Sequence, residues 1–220
     1  MTASVELLPK YTRGEEIQNS ISHFIGALFA IGTLITFIVL GILKGHSVLH
    51  MIPFYTYSIL MLLMFFMSGY YHSRPFNSSS RAKARIIDHC DIYAFVAATY
   101  FPICMYGITE KGYTIALLTI QIVLGILGII LNLIPKDYRI IKISTFLIYI
   151  VQGWIIAVFY PFNIGIPSIC FLFVLLGGIA YTIGSIMYAI GRYKKWSHTI
   201  FHYFVLIAAV LQFVGIYFLL

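Results

Sequence analysis

Residues 143–191 read ISTFLIYIVQGWIIAVFYPFNIGIPSICFLFVLLGGIAYTIGSIMYAIG, forty-nine residues without one Asp, Glu, Lys or Arg. As a single helix this stretch would be about 74 Å long at 1.5 Å per residue. A bilayer core is only about 30 Å thick, so the stretch must fold back once. The place is legible. Pro161-Phe162-Asn163-Ile164-Gly165-Ile166-Pro167 packs two prolines, an Asn and a Gly into seven residues, the chemistry of a turn. Two membrane spans joined by a short turn therefore set the pattern for the rest of the chain.

Working outward, other apolar runs separated by short charged segments give an all-α fold, a seven-transmembrane helix bundle. Its spans fall at about 17–43, 49–73, 86–108, 113–135, 143–160, 167–190 and 197–220. Residues 1–16 form a polar N-terminal segment, in which Glu6 and Glu15 are read as solvated, and residues 17–220 the membrane domain. No basic-apolar-small leader precedes the first span. Pro102 is expected to kink span three, which a membrane helix tolerates. Composition agrees: 61% of the 220 residues are hydrophobic and 10% charged. A soluble domain carries about a quarter charged residues, and no soluble core of this size would hide so much apolar surface.

The net charge of +7 raises the question of nucleic acid. The Lys and Arg instead sit in short loops, where they act as orientation signals beside anionic headgroups, and no nucleic-acid partner is expected. Seven spans place Lys10, Arg13, Arg74, Arg81, Lys83, Arg85, Lys136, Arg139, Lys142, Arg192, Lys194 and Lys195 on one side, against Lys44 and Lys111 on the other. By the positive-inside rule the N-terminus is cytoplasmic and the C-terminus external. Cys90, Cys104 and Cys170 lie in apolar runs with no CxxC, and read as buried small hydrophobes rather than a disulfide framework or thiolate metal site.

The few polar side chains within the spans gather at the cytoplasmic end. Glu16, Asn19 and His23 share one stripe at the start of span one, and Ser68 and His72 end span two at i, i+4. Asp88, His89 and Asp91 begin span three, and His198 and His202, again i, i+4, begin span seven. Two His on adjacent turns can chelate one metal, with His72 as a third nitrogen. A carboxylate inside a span costs about 2.5–3.5 kcal/mol on insertion scales and usually marks a site. Blander readings stand beside these. Ser68 can bond back to its own helix, His23 and His89 can be packing residues, and Asp88 and Asp91 can pair with Arg81 or Arg85. His46, His50, Glu110 and Asp137 read as ordinary interface or loop residues.

The ordered patterns Glu16-x-x-Asn19-x-x-x-His23, Ser68-x-x-x-His72, Asp88-His89 with Thr99-Tyr100-x-Pro102, Gly177-Gly178-x-x-Tyr181 and His198-x-x-x-His202 resemble the haemolysin III proteins. These form the bacterial branch of the progestin and adipoQ receptor family, and the resemblance runs from Glu16 to the last span. It implies a Zn²⁺ ion held by His72, His198 and His202, a water held by the carboxylate matching Asp88, and Ser68 beside it. Alkaline ceramidases, which cleave lipid amides, belong to the same wider superfamily. The sequence departs from the family pattern at Thr199, where Glu is frequent, at Gln212, near a frequent His, and at Ala98, a frequent Gly.

On this reading Asp88 is the general base, Ser68 a donor to an oxyanion, and Glu16, Asn19 and His23 orient the ligands from behind. The function expected is metal-dependent hydrolysis of a lipid amide or ester at the cytoplasmic leaflet of a bacterial plasma membrane, with membrane lipids as partners. A non-enzymatic membrane-homeostasis or sensor protein with a structural zinc, and a membrane-lytic protein, are the alternatives. The spans show no row of charges that would line a channel. Reporter fusions after Lys83, Lys136 and Lys194 are expected to read cytoplasmic, and fusions at Gly45, Glu110 and Leu220 external; opposite signals at any two overturn the seven-span topology.

Overall fold

The computed structural model describes residues 11–76, 78–134, 139–162, 164–191 and 193–220. The charges Lys10, Lys136, Asp137 and Arg192, with Glu6, Pro135 and Asn163, lie outside the described residues. The described residues are all-helical and form seven long α-helices: α1 (Arg13–Leu43), α2 (Val48–Ser73), α3 (Ser79–Pro102), α4 (Lys111–Leu133), α5 (Arg139–Phe159), α6 (Ser168–Ile190) and α7 (Ser197–Tyr217). Six of them are long and apolar enough to cross a membrane; the exception is α3, whose first turns are charged.

Helix starts are set by caps, and two lie earlier than the apolar runs suggest. Thr12 caps α1 through a capping box, its hydroxyl accepting from Glu15 N–H while the Glu15 carboxylate accepts from Thr12 N–H at 2.8 Å. Ser78 caps α3 by accepting from Arg81 N–H at 3.2 Å. Arg81, Lys83 and Arg85 thus belong to the first turns of α3 rather than to a loop, which shortens the connection from α2 to residues 74–78. At the other end of α3, Pro102 has no N–H to donate, and the helix runs on as one π-helical stretch, Ile103–Gly107.

The fold-back lies where the turn chemistry puts it. A 3₁₀ turn, Tyr160–Phe162, ends α5, and α6 begins at Ser168. Gly165 takes φ +93°, and a Cβ there would lie 2.6 Å from the Thr109 side chain, so only glycine fits. The turn docks on the α3–α4 connection through Thr109 N–H donating to Ile164 C=O at 3.0 Å.

Consecutive helices pack side by side, and α1 closes on α7. Lipid tails are as apolar as leucine, so burial alone does not hold such helices together; small residues and internal hydrogen bonds do. Gly177 and Gly184 of α6 and Gly191, which caps its C-terminal end, recur every seven residues and all face α7. Cβ atoms built there would meet Gln212 at 2.8 Å, Phe204 at 3.1 Å and the His198 backbone at 3.1 Å. Gly215 of α7 returns the contact, its position for a Cβ lying 2.9 Å from the Cys170 carbonyl.

Helices α3, α4 and α5 are joined by buried amides. Gln121 Nε2 donates to Gln152 C=O at 2.8 Å, while Gln152 Nε2 donates to Tyr93 and Gln121 carbonyls at 3.1 and 3.2 Å. Tyr100 OH donates to Gly153 C=O at 2.9 Å. Between α1 and α2, the Ser20 hydroxyl donates to Gly69 C=O at 2.9 Å.

Gly215→Leu forces a side chain against main chain that cannot yield, and overpacking costs about 1–3 kcal/mol. Gly32, with open space around its Cβ position, supplies the control. Thermal unfolding in detergent is expected to show a lower Tm for Gly215→Leu and no loss for Gly32→Leu; equal behaviour would remove the close α6–α7 approach as a determinant of stability.

Candidate metal centre

The last turn of α2 and the first turns of α1, α3 and α7 meet at one end of the bundle. His72 projects from α2, and His198 and His202 from successive turns of α7; all three are buried. Their ligand-capable nitrogens lie within 4.8 Å of one another. His198 Nε2 stands 3.4 Å from His72 Nε2 and 3.0 Å from His202 Nε2. A tetrahedral zinc with bonds of about 2.0–2.1 Å sets its nitrogens about 3.3–3.4 Å apart. With two spacings near that value and all three nitrogens within 4.8 Å, the trio is close enough to hold one ion.

The opposite edge of His72 fixes its tautomer. Its Nδ1 is 2.7 Å from Glu16 Oε2. An ionised carboxylate only accepts, so Nδ1 carries the proton and Nε2 presents a lone pair to the other two histidines. Glu16 is itself held by Arg81, whose Nη2 donates to Oε1. Arg81 is completely buried, donates also to Arg74 C=O at 2.9 Å, and lies over the Tyr71 and Phe76 rings. Asn19 brings its side-chain amide to 3.5 Å from His72 Nδ1, the outer limit of hydrogen bonding. The His23 ring packs 3.9 Å from His202, centroid to centroid, and edge-on to Phe65.

Asp88 has Ser68 and His72 among its near neighbours, and lies 3.4 Å from His89 Nδ1, which also faces Arg85 C=O at 2.9 Å. Asp91 lies close to Asp88, and its Oδ2 is buried without a hydrogen-bond partner among the described residues. The alternative in which Arg81 neutralises these aspartates does not hold. Arg81 sits in the first turn of α3, level with Glu16, whereas Asp88 and Asp91 lie seven and ten residues on, about 10–15 Å deeper at 1.5 Å per residue.

Several neighbours carry no spacing signal in the sequence. Glu15 is buried rather than solvated, because α1 starts at Arg13 and places it in the third helical position. Its Oε1 accepts from Trp196 N–H at 2.6 Å. Trp196 has φ +66°, the only positive φ among described non-glycine residues, and turns the chain into α7 two residues before His198. Tyr11, just ahead of α1, stacks on His198 at 4.5 Å with 13° between the rings. Burial pushes the Tyr11 phenol far above its ordinary range, with Tyr188 and Tyr71 adding to the effect, so it stays neutral.

Glu16→Gln leaves the Arg81 guanidinium buried beside an uncharged amide. Removing one partner of a buried pair costs about 3–5 kcal/mol. Loss of a group that orients a ligand weakens metal binding about 10–100-fold. The double variant Glu16→Gln/Arg81→Met is expected to recover much of the Tm but not the metal affinity, read by thermal unfolding and metal titration. A single variant as stable as wild type would show that the pair does not hold this end together.

Residues 11–213 match the family model described as haemolysin-III related. The Hemolysin-3 homolog of Bacillus subtilis (strain 168) is 32% identical over 198 residues, covering 89% of this chain and 90% of the relative. Hemolysin-3 of Bacillus cereus is 33% identical over 215 residues, covering 97% and 94%. The Adiponectin receptor protein of Drosophila melanogaster is 26% identical over 149 residues, covering 59% of this chain and 34% of that protein. With a family match across nearly its whole length, laid over a bundle of apolar helices, the chain belongs to the haemolysin-III-related family of multi-pass membrane proteins.

Proposed function

We propose that this protein spans the membrane seven times, holds Zn²⁺ on His72, His198 and His202, and hydrolyses a lipid amide or ester at the cytoplasmic leaflet. The observation that carries the reading is the juxtaposition of three buried imidazoles, their ligand-capable nitrogens within 4.8 Å of one another, with a carboxylate, Asp88, that has no arginine within ion-pair distance among the described residues. Three protein nitrogens leave a fourth position open, the arrangement of catalytic rather than structural zinc. Zinc, when bound, supplies Lewis acidity for hydrolysis at neutral pH.

The chain's own groups do the rest. Glu16 holds the His72 proton at Nδ1, so that Nε2 stays free to ligate. Asp88 accepts a proton from the attacking water on a carboxylate oxygen and returns it to the leaving amine or alcohol. Ser68 donates its hydroxyl hydrogen to the carbonyl oxygen as negative charge develops there. The site's depth, one or two turns inside the end of the bundle, suits the carbonyl of a lipid whose chains stay among the helices. For α3 to be the seventh span, its charged first turns must stand at the interface with the aspartates facing inward, which is where intramembrane carboxylates are tolerated. Arg13, Arg74, Arg81, Lys83, Arg85, Lys194 and Lys195 at the triad end, against Lys44 and Lys111, support a cytoplasmic site in a bacterial plasma membrane.

Purified protein is expected to carry about one zinc per chain, as three histidines with one open position imply. His72→Ala, His198→Ala and His202→Ala each lose most of it by elemental analysis. Asp88→Asn keeps its zinc and loses turnover of a labelled ceramide-like lipid. An ion bound only by the folded state adds about 2.7 kcal/mol at a hundred times its Kd, so chelation lowers the Tm of wild type and hardly moves the His variants. Full zinc content in His198→Ala and His202→Ala sinks the site; zinc without turnover in wild type leaves a metal that only pins α2 to α7, the sensor reading.

A further inference from the structure

A cavity of about 510 Å³ opens between the start of α1 and the end of α2, lined also by Arg74, Pro75 and Phe76, and it reaches Glu16 and His72 at the edge of the histidine cluster. We propose that it binds the phosphate of an anionic phospholipid from the leaflet that meets this end of the bundle. The inference does not depend on hydrolysis.

The charge of the lining is the first argument. Arg13, Arg74 and Arg81 face the cavity, and the carboxylate that shares it is Glu16. Both Glu16 oxygens are already engaged, one by Arg81 and one by His72. Among the described residues neither Arg13 nor Arg74 has a carboxylate partner. Arg74 is positioned instead by its Tyr70 ring, 4.4 Å from the guanidinium carbon. The Nε atoms of Arg74 and of the fully buried Arg81 both lack a hydrogen-bond acceptor among the described residues. A guanidinium offers donors only, in a fork matched to phosphate oxygens, so an anion with several oxygens is the chemistry the lining lacks.

The floor is the second argument. Ile17, Ile21 and Phe76 line the cavity and are 47%, 49% and 42% exposed. On α1 the apolar strip continues through Ile25 and Leu28, 52% and 69% exposed, at helical spacing. A ligand with an anionic head and acyl tails satisfies rim and strip together, whereas inorganic phosphate leaves the strip uncovered. A choline or ethanolamine lipid brings its own cation towards two unpaired arginines, so the occupant is a lipid with net negative charge, of the phosphatidylglycerol type.

The test uses the full-length protein in nanodiscs. Retention of phosphatidylglycerol over phosphatidylcholine is read by native mass spectrometry and by the rise in Tm on adding each lipid. Wild type is expected to prefer phosphatidylglycerol, and Arg13→Gln/Arg74→Gln to lose about tenfold in that preference, the effect of two lost charge-assisted contacts. Lys194→Gln/Lys195→Gln removes two charges from the same end and should behave as wild type; an equal loss there means a diffuse surface field and overturns the site. Equal retention of phosphatidylcholine by wild type, or an unchanged preference in the arginine variant, also overturns it. Millimolar inorganic phosphate giving the same Tm rise would assign the arginines to a soluble anion and overturn the lipid. A diazirine-bearing phosphatidylglycerol provides a readout without substitution: adducts on wild type should concentrate in residues 13–21 and 73–81, and adducts spread evenly over the helices refute the proposal. Zinc content, measured in parallel, separates this outcome from failure of the metal site.

Discussion

The Glu16 carboxylate, placed between a buried guanidinium and a buried imidazole, is the contact on which this end of the molecule depends. Each of its two oxygens answers a different need. Arg81 is fully buried and its charge must be met by another; Glu16 meets it from α1. His72 needs a defined tautomer to present a lone pair, and Glu16 supplies the acceptor for Nδ1–H. One side chain therefore joins α1, α2 and α3 and orients a metal-competent nitrogen. Loss of this one side chain therefore acts on stability and on ligand geometry together.

Away from that end, the bundle holds together by the means available where water is absent. The α6–α7 pair relies on backbone proximity, which Gly177, Gly184 and Gly191 at intervals of seven residues and Gly215 of α7 permit. The α3–α4–α5 group relies on reciprocal amide contacts between Gln121 and Gln152, and α5 meets α6 through Tyr149 with Ser185 and Trp154 with Thr182. The two modes suit their places. Close backbone contact fixes α7, which carries two of the three histidines, against a neighbour along its length. The longer polar side chains join helices that contribute none of the three.

Much of the helical architecture is legible from the chain because the bilayer imposes a length that charge-free runs must respect. The turn between α5 and α6 is visible for that reason, and its Pro and Gly residues mark it. His72, His198 and His202 are legible because i, i+4 spacing and a common end of the bundle follow from the helices alone. What the apolar pattern hides is decided by caps and by tertiary contacts. Thr12 and Ser78 start α1 and α3 inside segments whose charges read as loop. That shift buries Glu15 against Trp196 and brings Arg81 to Glu16, leaving the aspartates deeper in α3 without it. Tyr11 has no periodic position at all, and only the folded chain shows its ring against His198.

The carboxylates at this end consequently divide into two kinds. Glu15 and Glu16 serve structure: the oxygens of Glu15 accept from neighbouring Thr12 and from Trp196, and those of Glu16 are taken by Arg81 and His72. Asp88 is left with weaker company, a histidine at 3.4 Å and a serine, and no guanidinium within ion-pair distance among the described residues. Keeping Arg81 on Glu16 leaves Asp88 outside that ion pair, beside the histidines. Chain order adds a second constraint. His72 and His198 are 126 residues apart, so the three nitrogens converge only when α7 closes against α1. The Glu15–Trp196 and Gln18–Tyr203 hydrogen bonds lie on that closing seam. The same contacts that complete the bundle thus bring the three histidines together, and an ion bound there would stabilise the closed ring over any form in which α7 has separated from α1.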